Sequence, residues 1–287
     1  MKEICLEFKD LTLGYQGHAA VHHLSGTAER GVLTAVVGAN GSGKSTLMKG
    51  IAGILKPISG TCEQHFGRLA YLPQQSELDR TFPARVVDLV SLGFWQDRGL
   101  LGRITRKDRT KLAACLDAVG LTGFETRPLD SLSGGQMQRA LFARTMLQDA
   151  DLILLDEPFN AVDERTVGDL LRLIKDWVAE GRAVLCVLHD HALVREHFRQ
   201  TLLIARMTKA RSMRRPKNIP KPATTMAMKV ITIMASSIRT LGSRSTTPKS
   251  TRRILPTRSA RPTSQVARPT RPTRKLISPS LANWRRK

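Results

Sequence analysis

Cysteine is scarce. The chain has four in 287 residues (Cys5, Cys62, Cys115, Cys186), widely spaced and with no C-x-x-C pair. That excludes a disulfide framework and a cysteine zinc site, and leaves four free thiols expected in buried or half-buried positions. Long apolar runs are missing too. The first ten residues, Met1 to Asp10, carry acids where a secretory leader needs an apolar stretch. The nearest approach to a membrane span, Met226–Ile238, is too short and contains Lys229. The chain therefore reads as soluble and cytoplasmic, with any membrane role exercised through a partner. Acidic residues stop at Glu196; the 81 residues from Met207 onward hold 21 Lys+Arg and no Asp or Glu. Of the net charge of +22 the tail thus carries +21, because residues 1–206 hold 25 basic and 24 acidic side chains. A near-neutral body large enough to bury a core precedes a strongly basic tail.

Within the body, apolar runs alternate with helical periodicity. Ile4–Phe8 and Thr12–Tyr15 read as short strands, followed by a polar stretch to Gly31. Val32–Val37 suits a strand buried on both faces. A glycine-rich turn at Gly38 leads into a helical pattern from Lys44 to Leu55. Leu69–Leu72 is a short strand stopped by Pro73. Residues 84–148 read as mostly helical, broken at Pro128 and at the Ser-Gly-Gly cluster. Leu152–Leu155, Ala183–Leu188 and Thr201–Ile204 read as strands, and Glu164–Ala179 as an amphipathic helix. This alternation predicts parallel βαβ units, with the helical block as an inserted subdomain.

Three motifs carry chemistry. Gly38-Ala39-Asn40-Gly41-Ser42-Gly43-Lys44-Ser45, followed by Thr46, fits G-x-x-x-x-G-K-[ST] between a buried strand and a helix. Glycines let successive N–H groups curl toward phosphate oxygens, and the helix adds its positive end. Lys44 is expected to reach the β- and γ-phosphates of ATP, and the Ser45 hydroxyl to ligate Mg²⁺. Asp151–Pro158 is an apolar strand ending in two carboxylates. Asp156 is placed to hold a Mg²⁺ water, and Glu157 to polarise the water that attacks the γ-phosphate. The third motif is Leu132-Ser133-Gly134-Gly135-Gln136, opening a helix with Met137-Gln138-Arg139-Ala140.

With these motifs the chain resembles the ABC ATPases, the nucleotide-binding subunits of ABC transporters, over about residues 3–205. The resemblance implies an α/β fold: a P-loop ATPase domain over 1–206 with a parallel sheet core, an N-terminal antiparallel β subdomain and a helical subdomain at about 84–148. It implies a homodimer in which Ser133, Gly134, Gly135 and Gln136 cap the ATP held by the opposite chain. By the same resemblance Tyr15 stacks on adenine, although a hairpin tyrosine without a ligand is the plainer alternative. Gln74 matches the glutamine that senses Mg²⁺ and γ-phosphate, with Gln75 as the neighbour it could be confused with. Asp163 matches the acid that communicates across the dimer. His189 matches a histidine contacting the γ-phosphate, a role that rests on the resemblance alone. The implied partners are integral membrane permease subunits and, indirectly, a periplasmic or extracellular substrate-binding protein. The implied location is the inner face of the cell membrane, and no specific nucleic acid is expected.

The segments Phe82–Val90, Pro158–Asp163 and Leu188-His189-Asp190 resemble most the zinc and manganese import group, and iron-chelate and cobalamin importers share much of this pattern. A soluble ABC-type ATPase using its tail on nucleic acid is the rival reading. Repair members carry long coiled coils between the halves of the site, whereas Gln74 and Leu132 here are 58 positions apart. His18, His22 and His23 lie close together, but surface hairpin histidines are favoured over a metal site because carboxylate or cysteine ligands are lacking. The Phe94-Trp95 pair suits core packing or contact with a short helix of a membrane partner.

The tail, 207–287, has only 12 Leu, Ile, Val or Phe in 81 residues, below the roughly one fifth of a folding chain, which predicts disorder. Its charge would suit nucleic acid or anionic lipid. The resemblance stops near Ala205; the expected cause is a shifted reading frame, which sequencing the DNA across codons 195–240 tests. Moved by one base, the tail's 5 Met, 6 Ile and 12 Thr codons all read as His, Asp, Asn or Tyr. The expected intact version ends in a histidine- and acid-rich segment suited to zinc more than to manganese, which prefers oxygen ligands.

Overall fold

The computed structural model describes residues 3–206, except 78, 80, 81, 100, 101 and 161, together with 228–234. Strands β1 (Ile4–Tyr15) and β2 (His18–Glu29) open the chain, joined by a two-residue turn with Gln16 at φ 49° and Gly17 at φ 80°. Positive φ at both central residues matches the twist of the strands it joins. β3 (Leu33–Val37), α1 (Lys44–Ile51), β4 (Ser59–Gln64) and β5 (Leu69–Leu72) follow. The helical block contains α2 (Val86–Ser91), α3 (Trp95–Arg98), α4 (Arg106–Ala118) and α5 (Gly134–Leu147). Then come β6 (Leu152–Asp156), α6 (Glu164–Ala179), β7 (Ala183–Val187), α7 (His191–His197), β8 (Gln200–Arg206) and β9 (Met228–Met234).

Two sheets result. β2-β1-β4 is antiparallel, and β5-β6-β7-β3-β8-β9 is parallel except for the antiparallel β8–β9 pair. All five residues of each of β3, β6 and β7 are buried, as a sheet covered on both faces requires. Leu11, Leu13, Val21 and Leu24 of the antiparallel sheet share one core with Leu47, Met48 and Ile51 of α1 and with Leu154, Leu185 and Val187 of the parallel strands. β3 lies between β7 and β8, so the turn leaving it opens at the carboxyl edge of the sheet, where ligands of open α/β sheets bind.

The helical block is inserted between two strands that pair directly, β5 and β6. It is tied to the rest through α5. Phe142 stacks on Trp177 of α6, with ring centroids 5.7 Å apart. Arg139 donates to the Val119 carbonyl at the end of α4 at 2.9 Å and to Asp169 of α6 at 2.8 Å. All four cysteines are free thiols, three buried and Cys62 half-buried. No helix among the described residues is long and apolar enough to cross a membrane.

Three sequence readings need correction. The pattern read as helical to Leu55 stops at Ile51, because Gly53 at φ 72° turns the chain. The two short N-terminal strands are one continuous strand of 12 residues with register shifts, and most of the stretch read as polar is its partner β2. Within the tail, Met228–Met234 is a strand paired to β8. Val230, Ile231, Thr232 and Ile233 are β-branched, and β8 offers an open edge. The remaining tail residues lie outside the described ones.

Candidate functional site

The turn from β3 to α1 is forced by two close approaches. A β-carbon on Gly38 would stand 2.3 Å from the Ile204 carbonyl of β8, and one on Gly43 2.8 Å from the Ala20 carbonyl of β2. Gly43 also holds φ 95°, which disfavours any L side chain. The loop is thereby pinched between the two sheets, and α1 starts at Lys44. Gly38→Ala is expected to lower the melting temperature by several degrees, because backbone must move to admit the methyl group, at a cost of about 1–3 kcal/mol. A thermal scan with and without ATP measures this, and an unchanged melting point would mean that the loop yields freely.

Around this turn lies an open hollow. It measures about 620 Å³ and is lined by Ala20, Asn40, Gly41, Gly43, Lys44, Ser45, Thr46, Gln74, Glu157 and His189. The Lys44 ammonium donates to the carbonyls of Gly38 and Ala39 at 3.0 and 3.1 Å. Burial pulls its pKa down, while the Glu157 and Asp156 carboxylates oppose that shift. Gln74 Nε2 donates to Ser45 Oγ at 3.2 Å and reaches Asp156 Oδ1 at 3.5 Å. Asp156 is fully buried and its Oδ2 has no partner; the Ser42 hydroxyl is likewise buried and unpartnered. Burial pushes the Asp156 carboxyl up, against hydrogen bonds from Ser45 and Gln74. A buried carboxylate oxygen left open beside the Ser45 hydroxyl offers the hard oxygen donors that suit Mg²⁺, and Gln74 would complete the set by turning its amide oxygen toward them.

Glu157 follows β6 directly with its backbone at φ 52°, a conformation that costs a non-glycine residue of order 1 kcal/mol or more. That left-handed step turns its side chain into the hollow. There Glu157 Oε1 meets His189 Nε2 at 2.7 Å, and Asn160 Nδ2 donates to Oε2 at 3.4 Å. The strands carrying the pair, β6 and β7, are neighbours in register, with Asp156 opposite Val187. Parallel pairing thus brings together residues 32 positions apart.

The first turn of α5 lies outside this hollow. Ser133 caps it, accepting from the Gln136 backbone at 3.2 Å, while Gln136 Oε1 accepts from the Ser133 N–H at 3.0 Å. Gln136, which closes the Leu132–Gln136 signature motif, is therefore spent on a capping box. Gly134 opens the helix, and Gly135 faces the Asp163 carboxylate, 3.5 Å from where its β-carbon would be. Asp163 caps α6, accepting from the Thr166 backbone at 2.9 Å and from its hydroxyl at 2.7 Å. These bonds hold the Asp163 carboxyl below its ordinary pKa.

Tyr15 stands apart from the phosphate-loop hollow. Its ring is 49% exposed and lines the second depression, about 420 Å³, with Lys49, Ile54, Leu55, Tyr71, Pro73, Glu77 and Arg144. The Phe94-Trp95 pair divides: Phe94 is in the core at 4% exposure, and Trp95 is 53% exposed. Of the N-terminal histidines, His23 pairs with Asp10 at 2.8 Å. Among the described residues, the three acid and histidine side chains close enough to share a metal ion are instead Glu7, Glu63 and His65. Lys9 already bridges the two glutamates. Sequence reasoning missed Ala20, whose carbonyl shapes the loop, because nothing local marks it.

A family model described as ABC transporter matches residues 21–160. The zinc transport system ATP-binding protein TroB of Treponema pallidum is 37% identical over 207 residues, 69% of this chain and 77% of its own. The manganese transport system ATP-binding protein MntB of Listeria monocytogenes is 35% identical over 210 residues, 69% of this chain and 86% of its own. Among solved structures, an inward-facing ABC transporter of the metal-chelate type is similar with a TM-score of 0.64 and 30% identity, across 70% of this chain and 80% of that one.

Proposed function

The chain belongs to the ATP-binding subunits of ABC transporters, and from that premise we propose that it drives import of a divalent metal ion of the zinc–manganese class. It is an ATPase of that family. The observation that carries the reading is the single hollow into which the fold gathers Lys44, Ser45, Gln74, Glu157 and His189. The names of the relatives supply the metal.

Two chains meet head to tail, and each ATP lies between one phosphate loop and the partner's signature turn. The loop N–H groups and Lys44 bind the triphosphate. Ser45, Gln74 and Asp156 would hold Mg²⁺, which neutralises phosphate charge when bound. Glu157 accepts the proton of the attacking water, and His189 orients its carboxylate. Asp163, set against Gly135, links the signature turn to the facing subunit. Adenine stacking by Tyr15 requires the hairpin tip to lean toward the loop.

Coupling to membrane subunits fits the second depression. It lies beside the Gln75–Glu77 turn and exposes the apolar side chain of Ile54. A short helix of a permease seated there would ride on movements of the Gln74 segment, holding the subunit at the cytoplasmic face. Zinc is the finer choice only where sequencing the gene restores the histidine-rich end expected in a shifted frame, because the tail as it stands contains no histidine. The test is uptake by vesicles containing this chain with its permease and binding protein. ATP-dependent accumulation of zinc or manganese is expected. ATP turnover stimulated only by an iron chelate would overturn the metal assignment.

A further inference from the structure

Two adjacent glutamines split their side chains between two functional elements. Gln74 turns inward to Ser45 and Asp156 at 3.2 and 3.5 Å. Gln75 turns the other way: its Nε2 donates to the Gly134 carbonyl at 3.1 Å and to Gln138 Oε1 at 2.6 Å. Gly134 is the first residue of α5, directly after the Ser133 cap. Gln138 is 1% exposed, so its amide oxygen is a fixed buried acceptor.

Successive α-carbons are about 3.8 Å apart across a rigid peptide. Displacing Gln74 on its partners therefore carries Gln75 with it. The receiving element is stiff, because the Ser133–Gln136 capping box locks the first turn of α5. The far end of the segment is anchored as well: Glu77 pairs with Lys49 of α1 at 2.8 Å. A shift at the phosphate loop thus reaches the signature turn through one peptide bond and one side-chain amide.

We propose that Gln75 is a positioning residue that sets the signature turn of a chain according to the nucleotide state of that chain's own phosphate loop. The inference rests on the sandwiched dimer proposed above. In that dimer each signature turn serves the partner's nucleotide, so Gln75 makes the two sites interdependent. Two sites linked in this way bind cooperatively.

The test compares the full-length wild type, Gln75→Met and Gln75→Lys. Methionine keeps the length and loses the donor; lysine keeps an N–H donor. Thermal scans confirm folding, nucleotide titration of the single chain gives ATP affinity, and ATPase assays give kcat/KM and the Hill coefficient. Gln75→Met is expected to bind ATP on the single chain as wild type does, yet show a Hill coefficient near 1 and bind the second ATP of the pair about 5- to 150-fold more weakly, the usual span of a coupling energy. Gln75→Lys is expected to retain the cooperativity. A Gln75→Met chain as cooperative as wild type would overturn the role of Gln75, and so would one whose only defect is weaker ATP binding. A wild type that shows neither pairing nor cooperativity would instead remove the sandwich on which the inference stands.

Discussion

Glu157→Gln is expected to lower ATP turnover by about 10²–10⁴-fold, the scale of a lost general base, while leaving ATP affinity little changed. The amide fills the same space, and its oxygen can still accept a hydrogen bond from His189, which now stands 2.7 Å from Glu157 Oε1. What it cannot do is take a proton from water. The left-handed backbone at Glu157, φ 52°, aims the side chain whether it ends in oxygen or nitrogen, so the substitution isolates proton transfer from placement. Phosphate release measured with a parallel nucleotide titration checks this. Turnover within a few-fold of wild type would remove the residue from the chemistry.

Lys44→Ala is expected to act at the earlier step, weakening ATP binding by about 10–100-fold. A hydrogen bond to a charged group contributes roughly 1.5–3 kcal/mol, and the ammonium has more than one phosphate oxygen to meet. In the structure its protons are held by the Gly38 and Ala39 carbonyls, at 3.0 and 3.1 Å. Those contacts keep a buried cation in place and can be exchanged for phosphate. Asp156 and Glu157, the two carboxylates that Lys44 offsets, would otherwise repel the incoming triphosphate. Lys44→Arg is not expected to restore affinity, because a planar fork does not replace a compact ammonium in a loop this tight. Titration with a fluorescent ATP analogue separates the cases: unaltered affinity with a low kcat would place Lys44 at the transition state alone.

The parallel core was legible because burial on both faces leaves a short, nearly unbroken apolar run that includes valines, as in Leu33–Val37 and Ala183–Val187. α6 came out at the ends expected of it, since Asp163 caps a strongly amphipathic stretch. β4 was not legible. Ser59–Gln64 has no buried residue and owes its strand form to pairing with β1, which no local pattern records. β2 failed for a related reason: register shifts along β1 break its alternation.

At the site, residues contributed by contiguous motifs were readable, because a phosphate loop needs its glycines at fixed spacing. Contacts made by tertiary packing were not. The Ile204 carbonyl that makes Gly38 obligatory lies 166 positions away along the chain. The outward turn of Gln75 toward Gly134 depends on a helix that starts 59 positions later. Tyr15 shows the opposite limit: its motif position was clear, but the hairpin sets its ring beside Lys49 and Tyr71.

The central claim is that the nucleotide is held by two copies of the chain, each supplying half of the pocket. Sedimentation of Glu157→Gln with Mg²⁺ and ATP, alone and combined with Ser133→Arg, addresses it directly. The single variant is expected to sediment as a pair with two ATP bound, since closure is permitted and reopening by hydrolysis is blocked. The double variant is expected to bind ATP and remain single, because the arginine obstructs only the partner's nucleotide. Pairing that survives Ser133→Arg, or a single variant that saturates with ATP and never pairs, would contradict the claim.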